Sequence, residues 1–156
     1  MKKEFKFSYQ YVNSVDELTA EQQKTVSAAE KAAKNAYAPY SRFKVGAALL
    51  LKDDTIVIGS NQENKAYPTG LCAERVALFS YGAQQKKQGI KSIAIVGDGD
   101  LLKAGDIFSP CGACRQAMAE YTDMQGESFE IILKNGDGSF TIFEGIRHLL
   151  PFIFGS

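Results

Sequence analysis

The residues with the most chemistry to offer are three cysteines, Cys72, Cys111 and Cys114, and the glutamate two places after the first of them, Glu74. They stand in two short segments, Cys72-Ala73-Glu74-Arg75 and Pro110-Cys111-Gly112-Ala113-Cys114. Cys111 and Cys114 are three apart, so on one helical turn their sulfurs share a face and can grip one ion. A helix N-terminus carries partial positive charge, which lowers the pKa of a thiol and favours the thiolate that a metal requires. Three thiolates fill three corners of a zinc tetrahedron. No fourth protein ligand is evident, because the one histidine, His148, lies in a different element. Structural zinc sites usually close with four protein ligands, whereas catalytic ones keep a place for water. The count therefore favours catalysis. In the first turn of a helix, Glu74 would project into the same cavity, where a carboxylate can take a proton from an activated water and later deliver protons to a substrate. His148 reads as a complement to a helix dipole or a solvent-facing side chain.

These side chains need rigid elements to hold them. Thr19 and Gln22 form a capping-box pattern, and an alanine-rich helix follows to about residue 34 or 35, with Val26, Ala29, Ala33 and Ala36 as its packing stripe. Residues 44–51 are an apolar, β-compatible run. Asp53-Asp54 supplies a turn and residues 55–60 a second strand, so the pair reads as a hairpin. The polar stretch 61–70 lies between a strand and a helix, a natural place for a ligand-binding loop. A helix is predicted from residue 71 to about 84, a strand over 91–96, a second metal-bearing helix from 111 to about 121, and strands over 129–133 and 139–143 around the turn Asn135-Gly136-Asp137-Gly138. A short helix over 145–150 would end at Pro151. Residues 1–15 read as an arm with no assigned element, and Lys86-Lys87 as a solvated surface pair. The alternation predicts one α/β domain over residues 1–156, built around a sheet of about five strands.

Composition narrows the function. Lysine plus arginine equal aspartate plus glutamate at 18 each, which gives no sign of a surface for nucleic acid polymers and favours small neutral ligands. No apolar run approaches a membrane span, and Met1-Lys2-Lys3-Glu4-Phe5 lacks the apolar core of a signal peptide, so the expected location is cytoplasmic. Three cysteines, an odd number, argue against a disulfide framework there.

From about Tyr37 to Phe154 the chain resembles the homotetrameric, zinc-dependent cytidine deaminase family. The resemblance rests on Phe43-Lys44-Val45-Gly46-Ala47-Ala48, Asn61-Gln62-Glu63-Asn64, Tyr67, Cys72-Ala73-Glu74-Arg75, Pro110-Cys111-Gly112-Ala113-Cys114-Arg115-Gln116 and Leu149-Leu150-Pro151, in that order. It implies a three-layer α/β/α fold with a mixed sheet, and one Zn²⁺ per subunit on Cys72, Cys111 and Cys114. It also implies hydrolysis of cytidine and 2′-deoxycytidine to the uridines and ammonia, by zinc-bound hydroxide attack at C4 with Glu74 as proton shuttle. By the same resemblance Arg75 hydrogen-bonds the thiolates, Asn61 and Glu63 bind the ribose hydroxyl, and Phe43 packs on the base. The backbone N–H of Ala73 meets the base carbonyl, while Tyr67 and Phe154 cross to neighbouring subunits of a homotetramer with shared active sites. Lys65 and Gln62 depart from the family pattern at positions where relatives carry a small residue and an aliphatic one. Two other readings are a related deaminase of a modified or antibiotic aminopyrimidine nucleoside, and a structural zinc or redox-thiol protein that leaves Glu74 without a role.

Overall fold

The computed structural model describes residues 1–84 and 87–155, so Lys86 of the surface pair lies outside the described residues. Helix α1 (Ala20–Ala33) begins where its sequence says it should. The Thr19 hydroxyl accepts from the Gln22 N–H at 3.3 Å and the Gln22 side chain accepts from the Thr19 N–H at 2.9 Å. Two backbone donors that a helix start leaves orphaned are thereby satisfied. Helices α2 (Ala73–Ala83) and α3 (Gly112–Gln125) follow later in the chain, and α3 stops at Gly126, which takes the left-handed conformation (φ 74°) that glycine adopts most readily.

The strands are β1 (Gln10–Val12), β2 (Lys44–Leu51), β3 (Ile56–Ser60), β4 (Ile90–Asp98), β5 (Glu130–Lys134) and β6 (Phe140–Phe143), in one sheet of order β1-β6-β5-β4-β2-β3. Only β4 and β5 pair in parallel, because α3 carries the chain back between them; every other pair is antiparallel. The side-chain period of two sorts β2 between the layers. Val45, Ala47, Leu49 and Leu51 join the core beneath α2 and α3, while Ala48 joins the core beneath α1. The result is the expected α/β/α arrangement, with α1 on one face and α2 and α3 on the other.

Two glycines set how closely the layers approach. A Cβ on Gly46 would stand 2.0 Å from the Ala29 carbonyl oxygen, and one on Gly59 would stand 2.4 Å from the Ala73 carbonyl oxygen. Glycine here lets a helix backbone lie directly on a strand. The second contact matters for chemistry, since Ala73 opens α2 between Cys72 and Glu74.

The structure corrects the sequence reading in two places. Among the described residues the sheet has six strands rather than about five. Within the arm, Gln10–Val12 pairs with β6 in the register Gln10↔Ile142 to Val12↔Phe140, and buried Val12 ties the strand to the core beneath α1. The expected helix over 145–150 is one tight 3₁₀ turn, Ile146–His148, because only a few residues separate it from Pro151. Among the described residues no helix is long and apolar enough to cross a membrane.

Candidate active site

Cys72 and Cys111 are each the residue that precedes a helix, with extended backbone (ψ 153° and 164°), and neither sulfur is spent on capping. Cys114 lies in the first turn of α3. The two helix starts meet so that the Cys72 and Cys111 sulfurs stand 4.0 Å apart and those of Cys111 and Cys114 3.5 Å apart. All three sulfurs lie within 4.8 Å of one another. Thiolates about 2.3 Å from one zinc ion at tetrahedral angles would be separated by about 3.8 Å. The donor set fits a zinc ion in chemistry and in span.

Charge at the cluster is managed from α2. Arg75 directs Nη2 to the Cys72 sulfur at 3.9 Å, and its buried Nε has no hydrogen-bond partner among the described residues. A hydrogen bond from the Cys114 thiol, aided by Arg75, lowers the Cys72 pKa to about 5. The same contact, with burial and the charge of Glu74, pushes the Cys114 thiol up. Three thiols this close compete for their protons, and a cation that takes the place of those protons relieves the crowding.

Glu74 is only 4% exposed. Burial pushes its carboxyl up to about 7 and the charge at Cys72 adds to this, while its own backbone N–H, the Cys114 thiol and Arg75 work in the opposite direction. A carboxyl poised near neutrality can both accept and donate a proton. Placed beside the sulfurs and cut off from bulk water, it has the properties of an acid–base catalyst.

Beside this centre a cavity of about 570 Å³ opens, lined in part by Cys72, Arg75, Asn61, Glu63 and Tyr67. Four of the residues singled out from sequence are therefore brought to one place with the metal cluster's Cys72. Their local duties were not legible. The Asn61 amide accepts from the Val45 N–H at 2.7 Å and donates to the Phe43 carbonyl at 2.9 Å, stitching the start of β2 to the end of β3. Each half of that amide keeps one further hydrogen-bonding capacity. Glu63 accepts from the Tyr40 and Ser41 N–H groups at 2.9 and 3.3 Å, and from the Ser41 hydroxyl. The Ser41 hydroxyl, chief among these, holds the Glu63 carboxyl below its ordinary pKa. Tyr40 and Ser41 line the cavity too and were not found from sequence, where a turn before a strand carries no distinguishing mark.

The aromatic residues divide. Phe43 is half-buried and packs edge-on against Phe108 at 5.9 Å, a partner the sequence did not suggest. Tyr67 is 76% exposed at the cavity rim, edge-on to Tyr40 at 6.2 Å. Phe154 does not line the cavity of its own chain; it is 88% exposed, with its backbone held by Gln116. Ala73 is fully buried at the first position of α2, where an N–H has no intrahelical partner. Lys65 and Gln62 are exposed, and Gln62 also lines the cavity and pairs its backbone with Leu71. The His148 ring accepts from the Ser8 N–H at 3.2 Å, away from the sulfurs.

Comparison with known proteins agrees with this geometry. Residues 19–125 match the family described as "Cytidine and deoxycytidylate deaminase zinc-binding region". The chain is 46% identical over 99 residues to the cytidine deaminase of Sporosarcina psychrophila, covering 64% of this chain and 68% of that one. It is 44% identical over 100 residues to the cytidine deaminase of Halalkalibacterium halodurans, covering 64% and 71%. The crystal structure of cytidine deaminase from Burkholderia pseudomallei superposes with a TM-score of 0.73 at 38% identity, covering 88% of this chain and 100% of that one. With three sulfurs set for one ion and a buried carboxyl at their side, the chain belongs to the zinc-binding cytidine and deoxycytidylate deaminase family.

Proposed function

We propose that this chain hydrolyses cytidine and 2′-deoxycytidine to uridine and 2′-deoxyuridine with release of ammonia. The observation that carries the reading is the buried Glu74 carboxyl beside three convergent cysteine sulfurs, at the edge of a cavity large enough for a nucleoside. Cys72, Cys111 and Cys114 would hold zinc, which supplies a Lewis acid that makes water nucleophilic at neutral pH. Glu74 accepts a proton from the attacking water and passes it to N3 of the base as C4 becomes tetrahedral, then takes the proton of the new C4 hydroxyl and passes it to the amino nitrogen, which departs as ammonia. The reaction consumes one water and returns Glu74 to its starting state.

The other residues orient the substrate. The free N–H of Ala73 points a donor at the base carbonyl, and Phe43 packs on the base. Asn61 and Glu63 offer a donor and acceptors to a ribose hydroxyl from side chains already immobilised by the backbone, so little rotamer freedom is lost on binding. Arg75 offsets the negative charge of three thiolates. Exposed Tyr67 and Phe154 complete the sites of neighbouring copies in a homotetramer, and the single-domain enzyme works in the cytoplasm in pyrimidine salvage.

The test is a cytidine assay following ultraviolet absorbance and ammonia on wild type and Glu74→Gln, with zinc measured in both. The variant should keep its zinc and lose more than roughly 100-fold in kcat, the lower scale of acid–base catalysis. Unchanged turnover in the variant, or a wild-type protein active only on another aminopyrimidine, would overturn the reading.

A further inference from the structure

The two arms of the sulfur cluster are held by different devices. Cys72 follows Leu71, which exchanges two backbone hydrogen bonds with Gln62 at 2.9 and 3.0 Å and so belongs to an ordered edge. Cys111 ends residues 99–111, a stretch between β4 and α3 without strand or helix. The Cys111 carbonyl accepts from the Arg115 N–H at 3.0 Å as α3 begins, and the peptide plane leading into Cys111 depends on what grips the end of that stretch.

Arg115 provides the grip. Its guanidinium donates from Nε to the Pro110 carbonyl at 2.8 Å, from Nη2 to the Ser109 hydroxyl at 2.6 Å and from Nη1 to the Leu149 carbonyl at 2.8 Å. The proline ring fixes φ at Pro110, and the bond to its carbonyl orients the peptide plane leading into Cys111. The third bond anchors the assembly to the segment after the Ile146–His148 turn. A planar fork holds its donors in fixed directions toward three such acceptors, whereas the three donors of a lysine rotate on one nitrogen at the end of a flexible stem. Gln116, the next residue, serves a different segment: its amide donates to the Phe154 carbonyl at 3.1 Å and accepts from the Phe154 N–H at 3.2 Å.

We propose that Arg115 is a positioning residue for the metal centre, locking Ser109 and Pro110 to Leu149 so that the Cys111 sulfur is held ready beside Cys114. The proposal rests on the zinc reading given above. Its test compares wild type with Arg115→Lys, Arg115→Gln, Ser109→Ala and Gln116→Ala, measuring zinc affinity by competition with a chromogenic chelator well below each melting temperature. Both Arg115 variants should bind zinc roughly 10–100-fold more weakly, the usual effect of losing a partner that orients a metal ligand. Ser109→Ala should move less in the same direction, and Gln116→Ala should keep wild-type zinc affinity. Arg115→Lys at wild-type affinity would overturn the proposal, because charge alone would then suffice. So would a Gln116→Ala loss as large as that of Arg115→Gln, which would point to general tail stability. If the Arg115 variants fail to fold, Ser109→Ala decides, and unchanged affinity overturns it. Hydrogen exchange of the amides near Cys111 in chelated protein reads the clamp without metal. Faster exchange in Arg115→Lys supports it and equal exchange rejects it, even where wild type itself binds no zinc and only the functional reading fails.

Discussion

Substituting Gly59 by alanine tests whether the distance between β3 and α2 governs the chemistry. The new Cβ would lie 2.4 Å from the Ala73 carbonyl oxygen, 2.5 Å from the Ala77 nitrogen and 3.0 Å from the Ala77 Cα. All three are helix backbone, with no flexible side chain to give way. Restoring ordinary contact requires α2 to retreat by about 1 Å, and overpacking of this kind costs about 1–3 kcal/mol. In a chain of this size that lowers Tm by roughly 2–4 °C per kcal/mol. The retreat also moves Cys72 and Glu74, which open α2, away from Cys111 and Cys114 on α3. A displacement of that scale at reacting groups costs on the order of 100-fold in rate. Gly46→Ala is the matched control. It clashes with α1 at least as severely, 2.0 Å from the Ala29 carbonyl oxygen, but α1 carries none of the candidate site residues. Thermal melts, zinc content and kcat per folded molecule should separate the two variants. Both lose stability, and only Gly59→Ala loses its rate. Equal rate losses in the two variants, or a Gly59→Ala protein with wild-type Tm and kcat, would show that the β3–α2 distance does not govern the chemistry.

Ser41→Ala removes the chief hydrogen bond that holds the Glu63 carboxyl below its ordinary value. A lowered carboxylate pKa means the ionised form persists as pH falls and is lost only on passing through that lowered value. The variant should therefore lose cytidine affinity at a higher pH than wild type, and superimposable profiles of KM against pH would contradict this. Thr19→Ala deletes one half of the α1 capping box and should cost about 1 kcal/mol of stability, read by denaturant melts, with kcat unchanged. Phe154→Ala should raise KM for cytidine, since the ring is exposed in the single chain and is proposed to reach a neighbouring copy's site; an unchanged KM would remove Phe154 from the substrate site.

The helix carrying the capping box, the β2–β3 hairpin and the three sulfurs were legible because each is written in residue type and short spacing. The convergence of Cys72 with Cys111 was legible only through family resemblance, as nothing local relates positions separated by a whole strand. β1 escaped notice although Phe5, Phe7, Tyr9 and Tyr11 alternate with other residues in its vicinity, a period-two signal diluted by the exposure of those rings. The loop over 61–70 was legible as polar, but the backbone partners of its side chains were not. Asn61 and Glu63 spend much of their capacity on the backbone of Phe43, Val45, Tyr40 and Ser41, partners decided by tertiary approach. Arg115 was quoted as part of a motif without a role, because its three acceptors are two carbonyls and a hydroxyl that any sequence could supply.

The sulfurs sit at the starts of two helices, with β4, a central strand of the sheet, between them in the chain. The native arrangement of the three sulfurs is complete only once both helices have docked on the sheet. Metal capture would then come late in folding, and its contribution would fall on the escape from the native state. Zinc would lengthen the lifetime of the folded protein far more than it hastens its formation.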